Sequence, residues 1–155
     1  MARIQLTTEG TTNFEKALNY NPILKKYYDE LYEHLWNNTS ICKEEKEKVR
    51  LYLANKNGCA TCMSLSYIEN SELNEKITHS MKMGDFTLFS KKEQLLFAFI
   101  DKYKHSPREV NSLDIEALNQ YYDEKELVEL LAIINLFDGF QKIIVSLDLY
   151  DFCSL

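Results

Sequence analysis

Apolar residues recur along this chain at steps of three and four, and polar residues fill the gaps. Ile23, Leu24, Tyr27, Tyr28, Leu31, Tyr32, Leu35 and Trp36 form one broad stripe. That spacing predicts an amphipathic helix of about four turns, opened by Asn21 as cap and Pro22 in the first turn. A second helix is expected over 43–56, ended by Asn57-Gly58, and a third from Cys59 to about Glu69. Ser71 reads as the cap of a fourth that ends at Gly84. Ser90-Lys91-Lys92-Glu93 matches a capping box and opens a fifth helix through Leu96, Phe97, Ile100 and Tyr103, closed by His105-Ser106-Pro107. A shorter helix is expected over 113–121. Asp123 to Glu126 then signals the start of the last, which carries Leu127, Leu130, Leu131, Ile134, Phe137, Ile144 and Leu147. Asp138-Gly139 is a place for a kink or a split. No segment alternates at period two, so the expected fold class is all-α, a bundle of six to eight packed helices.

Composition fits that picture. Two prolines and four glycines in 155 residues leave few breakers. The length suits one domain, 1–155, with a core of its own. Apolar residues at 45% and charged residues at 27% are ordinary for a soluble protein. No run of 18 or more residues is wholly apolar, so no membrane span is expected. Residues 1–10 lack the apolar core of a signal peptide, which points to the cytoplasm. The formal charge is −6, and the basic residues interleave with acids, as in Lys43-Glu44-Glu45-Lys46-Glu47-Lys48. That run reads as a solvated helix face. Nucleic acid is an unfavourable partner, because phosphate binding needs concentrated positive charge.

The cysteines change the picture most. Cys59 and Cys62 form a CxxC directly after Asn57-Gly58, whereas Cys42 and Cys153 have no close partner and read as buried or incidental. Both thiols of the pair fall in the first turn of a new helix, where free N–H groups and the helix dipole favour an anion. A thiol of pKa ~8.5 can fall to roughly 3.5–7.5 in such a place. Residues i and i+3 share a helix face, so the two sulfurs can meet as a disulfide. Position at the helix end favours Cys59 as the lower-pKa thiol, and exposure could reverse the order. Two other readings stay open: cysteines filling a helical core as small apolar residues, and half of a zinc site, which lacks a second CxxC or a paired His. Ser66 falls between the two cysteines on a continued helix, where it could orient a water or bond back to the Cys62 carbonyl. Glu47 projects between Leu51 and Ala54. Burial there would raise its pKa and make it a proton acceptor, although periodicity alone favours one more charge on a Lys/Glu-rich surface.

The stretch from Glu47 through Asn57-Gly58, Cys59-Ala-Thr-Cys62 and on to Ser66 resembles the signature of the AhpD-like, carboxymuconolactone decarboxylase superfamily. Glu47 stands twelve residues before Cys59, where that family places its catalytic Glu. The segments from Phe89 to Ala98 and from Tyr122 to Leu130 are similar to the family's later helices, so the likeness covers roughly residues 20–148. The resemblance implies an AhpD-like helical domain, usually a homo-oligomer. It implies a thiol peroxidase in which Cys59 and Cys62 reduce hydroperoxides through a disulfide, with Glu47 as base. A thiol or dithiol reductant would restore the pair, and no haem, flavin or metal would be needed. One position departs from the pattern: Ser66 stands where the family has His, and Thr61 supplies no imidazole between the cysteines. A hydroxyl is no base near neutral pH, and general-base help is commonly worth about 10²–10⁴ in rate. A non-catalytic or redox-sensing helical oligomer is therefore a second expectation. A decarboxylase-like lyase is a third, which the CxxC argues against.

Overall fold

Hydrogen-bonding side chains cap five of the eight α-helix starts among the described residues. The computed structural model describes residues 1–69 and 72–151. Ser71 and Cys153 lie outside the described residues. Among those described there are eight α-helices, one short 3-10 turn at Pro107–Glu109 and no strands. The helices are α1 (Asn13–Leu18), α2 (Pro22–Asn37), α3 (Lys43–Asn57) and α4 (Ala60–Ser64), then α5 (Leu73–Met83), α6 (Lys91–His105), α7 (Ser112–Leu118) and α8 (Glu124–Leu147). Thr12, Ser90, Asn111 and Asp123 each close a reciprocal capping box with the acid three residues on. Each box satisfies two otherwise unpaired N–H groups. The fold is all-α, as the periodicity predicts.

Three elements differ from expectation. The helix after Cys59 ends at Ser64, because Leu65 turns extended at φ −97 and ψ 138. Helix α8 runs unbroken through Asp138-Gly139 for 24 residues. Helix α1 carries too few apolar positions for periodicity to reveal, and its Thr12/Glu15 box holds it instead.

Helix α3 is the centre of the fold. It packs most extensively along α8, with α5, α4 and α2 around it. Val49, Leu51, Tyr52, Leu53 and Ala54 are all buried, and Tyr52 stacks on Phe97 of α6 with centroids 4.4 Å apart. The Lys/Glu run at its start is a solvated face only in part: Lys43 and Glu44 are exposed, whereas Glu45, Lys46 and Glu47 are buried. Each of these three has found a partner. The Lys46 ammonium donates to the Trp36 carbonyl at 2.7 Å, in the last turn of α2. Glu45 accepts from the Tyr122 hydroxyl and from Lys92 Nζ. Burial holds the Lys46 pKa below its ordinary value.

Helix α8 is long and apolar enough, by length and composition, to cross a membrane. Here its Leu127, Leu130, Ile133, Ile134, Phe137 and Ile144 are buried within the protein. The stripe on α2 divides. Leu35 is buried, and Tyr28, Tyr32 and Trp36 pack against the core, whereas Ile23, Leu24, Tyr27 and Leu31 face outward. Buried residues run from Leu18 to Leu149.

Candidate active site

Gly58 begins the site. It takes φ 67, closes α3 with its N–H on the Ala54 and Asn55 carbonyls, and turns the chain into α4. The Cys59 N–H also returns to the Ala54 carbonyl, at 2.9 Å. Cys59 is therefore the cap of α4 and Cys62 lies in its first turn. The two are joined as a disulfide with Cα atoms 5.2 Å apart, as i,i+3 spacing allows. Cys59 is fully buried and Cys62 is 8% exposed. Because α4 is only five residues long, its dipole is that of little more than one turn.

The charged groups beside the pair come from α3. Glu47 is fully buried, contrary to the surface position that periodicity favours. Both its oxygens accept from Arg50: Nε donates to Oε2 and Nη2 to Oε1, each at 2.7 Å. The Tyr67 N–H donates to Oε1 as well, at 3.0 Å. Arg50 then reaches the cysteine turn. Its Nη1 donates to the Cys62 carbonyl at 2.7 Å and its Nη2 to the Leu65 carbonyl at 2.6 Å. The Tyr67 ring lies 4.3 Å from the guanidinium carbon. One ion pair thus fixes both the helix end after Cys62 and the extended stretch of chain that follows it. The bidentate fork is what a buried carboxylate requires, since an unpaired charge there would be costly.

Ser66 does not overlie the cysteines. With α4 ended, it sits exposed on the extended segment, and its hydroxyl donates to the Ile68 carbonyl at 2.7 Å. Cys42 is exposed at the start of α3 rather than buried. Thr61, between the cysteines, holds a buried hydroxyl with no partner among the described residues.

Cys62 and Thr61 line a cavity of about 600 Å³, a size usual for small-molecule sites. Arg50 and Tyr67 line it as well. Its walls are the inward aromatic face of α2 and the facing part of α8, notably Tyr28, Tyr32, Trp36, Phe137 and Phe140. Cys59 is not among the lining residues. Behind the cysteines, Asn57 donates to Gln141 and Asp138 of α8, and Gln141 donates to the Arg50 carbonyl. This joins the end of α3 to α8. Sequence reasoning misses Arg50, Tyr67 and the cavity wall. An acid and a base at i and i+3, Glu47 and Arg50, are the available signal, hidden among neighbouring lysines and glutamates.

No family model and no curated protein sequence matches the chain. Solved structures do. A peroxidase-related protein from Silicibacter sp. TM1040 superposes with a TM-score of 0.76 at 15% identity, over 90% of this chain and 75% of the other. An AhpD-core, peroxidase-related protein from Ralstonia eutropha JMP134 gives 0.75 at 16%, over 90% and 76%. The debrominase Bmp8, bound to 2,3,4-tribromopyrrole, gives 0.70 at 18%, over 91% and 77%. At these identities the likeness speaks to architecture, and it is consistent across the set: this chain has the AhpD-like fold.

Proposed function

We propose that the protein is a dithiol oxidoreductase of the thiol-peroxidase kind, reducing hydroperoxides through a reversible Cys59–Cys62 disulfide. The observation that carries this reading is the disulfide itself, with one sulfur at the wall of an aromatic cavity and the other buried behind it. The peroxidase-related names of two similar structures agree with it.

In this reading Cys62, the more exposed of the two, is the attacking thiol, the reverse of the order that helix position suggests. Its thiolate attacks the outer oxygen of ROOH, and the O–O bond breaks. RO⁻ leaves and takes a proton from water, giving ROH, and Cys62 becomes a sulfenic acid. The Cys59 thiolate then attacks the Cys62 sulfur, the S–O bond breaks, and hydroxide leaves as water. An external dithiol reduces the disulfide by two exchange steps and is itself oxidised. Glu47 serves here as a positioning group rather than as the base, because both its oxygens are held by Arg50. Homo-oligomeric assembly belongs to the same reading.

A test is intact-mass and peptide mapping of the reduced protein after one equivalent of organic hydroperoxide. Fast Cys59–Cys62 closure, reversed by a dithiol, is expected. In Cys59→Ser the sulfenic acid should remain on Cys62, and Cys62→Ser should be inert. Reaction at Cys59 in the second variant, or no closure in the wild type, would overturn the assignment. The second reading, a redox sensor, is favoured by Ser66, which offers no base and points away from the cysteines. Single closure without multiple turnover in the presence of dithiol would select it.

A further inference from the structure

We infer that the cavity at Cys62 accepts uncharged or cationic aromatic hydroperoxides and turns away anionic ones. This deepens the peroxidase reading and rests on it. Three layers of the cavity support the inference.

The floor is neutral overall. Arg50 reaches it, but its charge is balanced by Glu47, and both side chains are at most 4% exposed. An incoming carboxylate would find no free cation there, and drawing one in would leave it unpaired in a dry site. The middle is aromatic. The Tyr28 ring lies 4.3 Å from Phe140, and Phe14 meets Tyr28 edge-on at 5.3 Å. Deeper in, Tyr32 and Trp36 both face Phe137. Flat apolar or cationic groups suit such walls, by stacking and by attraction to ring faces. The Tyr28 and Tyr32 hydroxyls make no hydrogen bond among the described residues, so the wall also offers polar points to a neutral ligand.

The mouth is acidic. Glu15, Asp29, Glu33 and Asp151 all line the cavity. They are its more open members: the Glu15 side chain is 32% exposed and that of Asp29 is 52%. Lys25, outside the lining itself, pairs with Asp29 at 2.5 Å and Glu15 at 3.8 Å, which leaves Glu33 and Asp151 with no cation against them among the described residues. Hydrogen bonds from the Thr11 hydroxyl and from the Thr12 and Thr11 N–H groups hold the Glu15 pKa down to about 2, so it stays charged at neutral pH. The formal charge of the whole chain, −6, has the same sign. Charged mouths of this kind change encounter rates by about 10–10³ at low salt.

The chemical step is the O–O cleavage already described, so selectivity can be read from the rate of disulfide closure. The reduced protein is mixed with cumene hydroperoxide, with its para-carboxylate, and with its para-trimethylammonium derivative. Each rate is divided by that of dithiothreitol with the same reagent. At about 10 mM salt, where the Debye length is about 30 Å, the carboxylate should be slower than the parent by about tenfold or more. The cationic derivative should be at least as fast as the parent. Near 1 M salt, where the Debye length is about 3 Å, the gap should narrow. It should narrow likewise in a Glu33→Gln, Asp151→Asn variant. Equal normalised rates, or a gap indifferent to both salt and variant, would overturn the inference and leave the peroxidase reading standing. Failure of all three hydroperoxides would instead sink the peroxidase reading. A second arm reads the charge selectivity without peroxide. The Cys62 thiolate attacks an aromatic disulfide, one arylthiolate leaves, and Cys59 displaces the other. Neutral dithiodipyridine should outrun dianionic dithiobis(nitrobenzoate) by a larger factor with the protein than with dithiothreitol, and equal factors would overturn the inference.

Discussion

Arg50 does several jobs with one guanidinium. It neutralises Glu47, and it ties down the Cys62 and Leu65 carbonyls. Removing it should therefore cost more than a lost hydrogen bond, because Glu47 would be left charged and buried. Arg50→Met is expected to lower stability by about 3–5 kcal/mol, read from urea unfolding. A Glu47→Leu, Arg50→Met double variant should recover more than half of that loss, since no unpaired charge remains. A double variant as unstable as the single one would mean that the carbonyl contacts dominate. The pair also shows what a sequence reading lacks. CxxC and the upstream Glu47 are legible as letters, because their spacing is local. Burial of Glu47 is not, because it depends on Tyr67 arriving from beyond α4, just as the burial of its neighbours Lys46 and Glu45 brings in Trp36 and Tyr122.

Helix starts are the most readable elements. Asn21, Ser90 and Asp123 cap where their residue types predict, since capping is a short-range bond between neighbours. Helix α4 is hard to read for a matching reason: its end is set by Arg50, 15 residues before Leu65. The glycines give a paired test at this scale. Gly58 sits at φ 67, and a Cβ added there would meet nothing within 4 Å, so its replacement brings strain but no clash. Gly58→Ala should destabilise by about 1–2 kcal/mol. Gly139 lies exposed within α8, again with open space around it. Gly139→Ala should stabilise by up to about 1 kcal/mol. Thermal unfolding of both variants checks the opposite signs.

At the scale of the molecule, the first and last described segments meet. The Arg3 N–H donates to the Leu147 carbonyl, and Asn13 donates to Asp151 and to the Tyr150 carbonyl. The capping box of α1 holds this layer in place, and Glu15 is its acid. The folded pKa of Glu15 lies near 2, below its ordinary 4.5. A depressed carboxylate contributes stability that is fully present above the ordinary value and lost as pH falls through the folded one. Glu15→Gln should thus be less stable than wild type above about pH 4.5, and the two should converge as pH falls toward 2. Acid titration followed by circular dichroism reads the difference, and a gap that persists to the lowest pH would place the loss in shape rather than in charge.

The depth difference between the two sulfurs has a consequence for traffic. With Cys59 fully buried and Cys62 at the cavity wall, any bulky thiol arriving from outside can bond only to Cys62. Cys59, its partner in the disulfide, is then placed to expel that adduct, and its burial keeps outsiders from blocking it. The pair is in effect self-clearing: what sticks at the gate is ejected from behind.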